Sequence, residues 1–193
     1  MKKFCLALTV LAAGATAQTE EGTANPGLRK PRTAAVSAEM GFNSLASIVG
    51  LKGTFFVAPQ WAVDAGLGLS SVGLRPGLYA RYLFTPNKFS PFAYAGLKYG
   101  LGTGGQTAEV EDPDTDTKYA LEVKPSPYAD FGVGIDYLAH NGFYFTGGLG
   151  WSQLLGGKNY EWEGPVPPED FDNAMKFVLG SSVGLFISLG YAF

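Results

Sequence analysis

Phe131-Gly132-Val133-Gly134-Ile135-Asp136-Tyr137, followed by the turn His140-Asn141-Gly142 and then by Phe143-Tyr144-Phe145-Thr146, is the clearest record of the chain's architecture. Apolar residues recur at every second position, which is the period of a β-strand with two unlike faces, and the tight polar turn between the runs reads as a hairpin. Phe131, Val133, Ile135 and Tyr137 oppose Asp130, Gly132, Gly134 and Asp136. Beyond the turn, Phe143, Phe145, Leu149 and Trp151 oppose Tyr144, Thr146, Gly148 and Gly150.

The same alternation extends in both directions. It predicts strands at Ala34–Asn43, Ile48–Val57, Trp61–Ser70, Arg75–Phe84, Pro91–Leu101, Pro127–Tyr137 and Phe143–Trp151, and a last one from Val183 to Phe193. Short turns at 58–60, 85–88 and 140–142 alternate with longer connections, of which 102–126 and the segment before the last strand are read as long loops. An even number of strands of about ten residues suits a tilted crossing of a hydrocarbon layer. The expected fold is all-β, an eight-stranded antiparallel up-and-down transmembrane β-barrel over residues 34–193.

Composition decides which way the apolar rows face. Only 16% of the chain is charged, against roughly 25% in soluble proteins, and 27 of its 193 residues are Gly. A water-facing surface needs dense charge, yet the polar rows hold mostly Gly and Ser. Such small residues suit the narrow interior of an eight-stranded barrel, which side chains just fill. The apolar rows therefore face lipid, and closure of the sheet leaves no backbone edge stranded in hydrocarbon. Trp61, Phe84, Tyr137 and Phe143 sit beside the short turns as an interfacial aromatic girdle, joined there by Tyr191 and Phe193. On this assignment Leu97→Arg is expected to be damaging and Gly96→Ser mild.

Charges on the inward rows fall at matched heights. Glu39 with Lys52, Asp64 with Arg81, and Lys98 with Asp130 are expected to form ion pairs in the lumen and so to close it.

Residues 1–17 have the form of an export signal. Lys2 and Lys3 precede the apolar run Phe4–Ala13, and Ala15-Thr16-Ala17 is a small-x-small cleavage site. Cys5, the one cysteine, lies within it, so the processed chain has no thiol. Residues 18–33, rich in polar residues and Pro, read as a flexible periplasmic leader whose Arg29, Lys30 and Arg32 are solvated. Without Lys2 and Lys3, 12 basic residues face 17 acidic ones, a net charge of −5, which argues against a nucleic-acid partner.

Three segments, Pro91-Phe92-Ala93-Tyr94-Ala95-Gly96-Leu97-Lys98-Tyr99-Gly100, Phe131–Tyr137 and the ending Leu189-Gly190-Tyr191-Ala192-Phe193, make residues 34–193 resemble the small outer-membrane β-barrel proteins of the OmpA/OmpX type. The resemblance implies a Gram-negative-type outer membrane, termini and short turns in the periplasm, and long loops outside. It also implies that Leu189, Tyr191 and Phe193 form the signal read by the outer-membrane assembly machinery. Members of that family include structural anchors, adhesion factors and small pores.

Catalytic and metal chemistry is sparse. His140, the single histidine, lies in a tight turn, away from the rim where a Ser/His/acid site would work. Asp112-Pro113-Asp114-Thr115-Asp116 resembles a calcium loop superficially, but Thr117 stands where Gly is needed and Val123 where the bidentate Glu belongs. It reads as an acidic solvated loop, as does the stretch bearing Glu161, Glu163, Glu169, Asp170 and Asp172. Alternation of the last strand extends back through Phe177 and Leu179. Pairing with Tyr160–Glu163 would then raise a hairpin above the membrane, with an edge open to a partner strand; the alternative is a loop folded over the barrel mouth. The expected protein is a non-enzymatic outer-membrane barrel of structural or adhesion type, with no cofactor or metal. Its partners are outer-membrane lipid, lipopolysaccharide, the assembly machinery and an extracellular protein. The alternatives are a small passive diffusion channel and, disfavoured, a lipid-modifying enzyme.

Overall fold

A computed structural model describes residues 32–70, 73–113 and 116–193. In chain order these form β1 (Ala34–Phe42), β2 (Val49–Ala58), β3 (Trp61–Ser70), β4 (Gly73–Leu83), β5 (Phe89–Gly100), β6 (Thr107–Asp112), β7 (Thr117–Val123), β8 (Ser126–Leu138), β9 (Phe143–Leu154), β10 (Tyr160–Glu163), helix α1 (Glu169–Leu179) and β11 (Ser182–Ala192). Eight strands close into an antiparallel barrel in the order β1-β11-β9-β8-β5-β4-β3-β2. The predicted strands coincide with these to within three residues at either end.

The barrel is inverted relative to a soluble one. Leu51, Leu67, Leu78, Leu97, Phe131, Leu149 and Leu189 are each more than half exposed on the outer wall, while Glu39, Lys52, Asp64, Arg81, Lys98, Asp130 and Asp136 are buried inside. A continuous apolar belt around a charged interior is the arrangement of a barrel solvated by hydrocarbon. A groove of about 890 Å³, lined by Met40, Ile48, Ile135, Gly147, Leu149 and Ile187, also opens on this outer wall.

Glycine governs how the interior fills. Large side chains lie across the glycines of neighbouring strands. A Cβ on Gly132 would come within 2.7 Å of the Tyr94 ring, one on Gly134 within 2.5 Å of Phe92, and one on Gly148 within 2.8 Å of Phe186. Gly96 is pressed against the Leu78 carbonyl and the Tyr79 ring. Gly96→Ser, expected to be mild, is therefore a severe overlap with backbone.

The export signal and the leader through residue 31 lie outside the described residues. The last two leader residues are tied down. Thr33 N donates to Phe193 O at 3.1 Å, Phe56 N donates to Thr33 O at 2.9 Å, and Arg32 Nη1 donates to Ala139 O at 2.9 Å. Backbone pairing thus includes Thr33 as well as β1, and Arg32 is held by its side chain.

Two further expectations are corrected. Segment 102–126 contains the hairpin β6–β7, onto which β10 pairs to make a separate sheet in the order β10-β7-β6. β11 does not extend back through Phe177 and Leu179, because those residues end α1. Glu169, Asp170 and Asp172 in the first turn and Lys176 in the last complement the helix dipole. Phe171, Met175, Val178 and Leu179 recur at the helical rather than the strand period. That stripe covers Tyr119, Leu121, Tyr160 and Trp162, so that β6, β7, β10 and α1 form a lobe with its own small core.

Candidate functional site

The inner wall carries four buried cations, Lys52, Arg75, Arg81 and Lys98, and four buried anions, Glu39, Asp64, Asp130 and Asp136. They are arranged in layers. Nearest the short turns, Arg81 Nε lies 2.6 Å from Asp64 Oδ2 and Nη1 lies 2.9 Å from Asp136 Oδ2. Arg81 Nη2 donates to the Tyr144 hydroxyl at 2.7 Å, and that hydroxyl donates to Asp136 Oδ2 at 2.7 Å. Thr54 Oγ1 donates to Asp64 Oδ1 at 2.7 Å.

At mid-height Lys52 Nζ lies 2.9 Å from Glu39 Oε2 and donates to Thr146 Oγ1 and Ser188 Oγ, both at 2.8 Å. Above it, Lys98 Nζ lies 3.0 Å from Asp130 Oδ2, which also accepts from the Tyr79 hydroxyl. Tyr79, Tyr94, Phe92 and Phe186 fill the space between charged groups, with Tyr79 and Tyr94 stacked at 5.2 Å.

The three carboxylate–cation pairs expected from sequence share one geometry. Lys52 stands opposite Ser37, two residues from Glu39; Arg81 stands opposite Ala62, two from Asp64; Gly96, two from Lys98, stands opposite Asp130. Each pair is therefore diagonal between adjacent strands. A diagonal of about 7–8 Å between backbones is the span a long basic side chain and a shorter acid bridge together.

Arg75, Asp136 and the β1–β2 connection join this network without having been singled out in the sequence. Residues 43–47 fold into the barrel mouth and are all buried. Left-handed backbone at Asn43 (φ 51°) and Ser47 (φ 58°) turns the chain inward, a conformation Asn tolerates better than most residues. Arg75 Nη1 donates to Asn43 Oδ1 at 2.9 Å and Lys98 Nζ to Asn43 O at 2.6 Å. Asn43 Nδ2 donates to Ser182 Oγ, and Ala46 N to Glu39 Oε1 at 3.0 Å. Leu45 seats against Gly66 and Gly77. A plain six-residue connection thus becomes a plug. The signal available beforehand was the pair of unused inward groups, Arg75 and the Gly66/Gly77 notch.

The lobe caps this mouth. Tyr128 OH donates to Leu179 O at 2.6 Å, and Asn159 Nδ2 donates to Tyr128 OH at 2.7 Å. Phe177 stacks on Phe42 at 5.9 Å. Inside the lobe, Asp172 accepts from Tyr160 OH and Trp162 Nε1, both at 2.7 Å, and lies 2.8 Å from Lys176 Nζ. The hydrogen bond from Lys176, helped by those of Trp162 and Tyr160, holds the Asp172 carboxyl well below the usual carboxylate range. Burial, together with the carboxylate, pushes the Tyr160 phenol up, so its proton stays on the bridge.

Trp61, Phe84 and Phe143 are exposed at the short-turn rim, Tyr137 is half-buried there, and Trp61 packs on Tyr82 at 5.1 Å and Tyr137 on Phe143 at 6.3 Å. Leu189, Tyr191 and Phe193 form an outward row along β11 and its end. His140 is exposed in its turn, where its carbonyl accepts from Arg32. Asp112 and Asp116 flank the β6–β7 turn; Asp114 lies outside the described residues, and no group of three metal-ligating side chains occurs among those described.

No protein-family model matches the chain, and no curated protein matches it in sequence. Among solved structures it is similar to the N-terminal β-barrel domain of Pseudomonas aeruginosa OprF, with 18% identity and a TM-score of 0.47 over 83% of this chain and 98% of that one. It is similar also to a major outer membrane protein from Thermus thermophilus (15% identity, TM-score 0.47, 83% and 99% covered) and to the E. coli outer membrane protein W (17% identity, TM-score 0.41, 84% and 98% covered).

Proposed function

We propose that the protein is a non-enzymatic outer-membrane barrel that serves as a sealed anchor, of structural or adhesion type, holding an acidic lobe on the cell exterior. Export follows the signal at residues 1–17, and the Leu189, Tyr191, Phe193 row is the feature read by the assembly machinery. Lipid and lipopolysaccharide surround the belt, and a protein partner meets the lobe.

The observation that carries this reading is the closed lumen. Four cations and four anions are cross-linked through its layers, rings fill the space between them, and residues 43–47 plug the mouth. An aqueous path would have to break buried ion pairs, which costs several kcal/mol for each group left alone. Conductance across a planar bilayer tests it: the refolded protein is expected to be electrically silent. Steady discrete steps would establish the diffusion channel instead.

A further inference from the structure

Sheet β10-β7-β6 is covered on one face and bare on the other. Register places Ala108, Val110 and Asp112 of β6 on the side of Tyr119 and Leu121, toward α1. The opposite face carries Thr107, Glu109 and Glu111 of β6, Lys118, Ala120 and Glu122 of β7, and Glu161 and Glu163 of β10. β6 is an edge strand that pairs, among the described residues, with β7 alone. Its second row of backbone N–H and C=O groups is a template for another strand, six residues or about 20 Å long.

We propose that β6 is a docking strand: its outer edge takes an extended basic segment of a partner protein, with Lys or Arg at alternate positions beside Glu109 and Glu111. A strand added there directs every second side chain to the bare face, directly opposite Thr107, Glu109 and Glu111. The intervening residues fall opposite Ala108 and Val110 and suit small or apolar side chains. Charge selects the occupant. Residues 101–125 and 155–181 together hold eleven carboxylates against four lysines. A second copy pairing β6 to β6 would set Glu109 and Glu111 against their own kind, and like charges directly opposite are destabilising. Opposite charges in the same positions are favourable.

The inference rests on the lobe facing outward, as proposed above. The test is amide-resolved NMR of the refolded full-length processed chain in lipid nanodiscs, titrated with the peptide Thr-Lys-Val-Lys-Val-Lys-Thr and with the same peptide N-methylated at alternate residues. Saturable shifts centred on amides 107–112, lost on N-methylation and weakened about tenfold by Glu109→Lys with Glu111→Lys, are expected. Equal binding of the N-methylated peptide would overturn the strand-pairing proposal, because attraction of charge alone would then suffice. So would an absence of shifts at low ionic strength, or β6 shifts that follow protein concentration without peptide, which would make a second copy the occupant. Channel steps from a protein that still binds the peptide would remove the sealed-anchor reading and leave this one standing. A silent barrel that ignores the peptide would do the reverse.

Discussion

The ammonium group of Lys98, on the barrel wall, lies 2.6 Å from the backbone carbonyl oxygen of Asn43, in the plug, while also lying 3.0 Å from Asp130. One side chain therefore neutralises a buried carboxylate and fastens the loop that closes the mouth. Lys98→Met leaves Asp130 charged and unpaired and is expected to cost about 3–5 kcal/mol. The double variant Lys98→Met with Asp130→Leu should recover part of that loss, since no charge is then left unpaired although the Asn43 carbonyl and the Tyr79 hydroxyl still lose a partner. Urea unfolding from lipid vesicles measures both; equal destabilisation of the single and double variants would contradict a buried pair.

Glycines on the inner wall are expected to divide by what they face. Gly96→Ala drives a Cβ into the Leu78 carbonyl and the Tyr79 ring, whereas Gly100→Ala meets its nearest neighbours, Arg75 and Tyr128, at an ordinary 3.6 Å. The first should lose at least 1–3 kcal/mol, roughly the cost of overpacking, and the second should be near neutral. On the lipid side, Leu97→Arg is expected to cost about 2–4 kcal/mol. The heat-modifiable shift of folded barrel on a gel, with unfolding midpoints, ranks the three.

Asp172 ties α1 to β10 through Lys176, Trp162 and Tyr160. Its folded-state pKa is depressed, so the stability it contributes is fully present above about pH 4, the ordinary carboxylate range, and is lost as pH falls below that. Trp162 emission, read in a background lacking Trp61 and Trp151, should report opening of the lobe on acidification. Asp172→Ala removes the acceptor of Trp162 Nε1 and the carboxylate beside Lys176, and leaves Tyr160 OH only the backbone carbonyl of residue 172 at 3.2 Å; it should weaken the lobe by about 2 kcal/mol at neutral pH, flattening its acid response. An unchanged acid profile in that variant would argue against the bridge.

Phe193 has two separable roles. Its backbone closes the seam with Thr33 and Ala34, at 2.9–3.3 Å, while its side chain points outward. Phe193→Ala keeps the backbone bonds, so refolding into detergent should be normal while outer-membrane yield in cells falls, given the proposed assembly signal. Deleting Phe193 should impair both. Normal cellular yield of Phe193→Ala would leave the side chain with no part in assembly.

The eight barrel strands, their limits and the outward facing of the apolar rows were legible from residues alone, because each of those strands meets two solvents of opposite character and a period of two records that directly. Diagonal partners such as Glu39 and Lys52 were also visible, since neighbouring strands in an up-and-down barrel are neighbours in sequence. Local sequence carried less where the period was short or mixed. Phe177 and Leu179 satisfy a strand's alternation over two positions, yet the stripe from Phe171 to Leu179 has a larger surface to bury, the sheet formed by β6, β7 and β10. Tertiary contacts alone set that sheet's order, the inward turn of residues 43–47 and the recruitment of Arg75 and Asp136. Each of these depends on groups brought together across the barrel or between its loops. Alternation reports which side of a strand meets water or lipid, but it carries no information about which distant side chain will occupy the space that a glycine leaves.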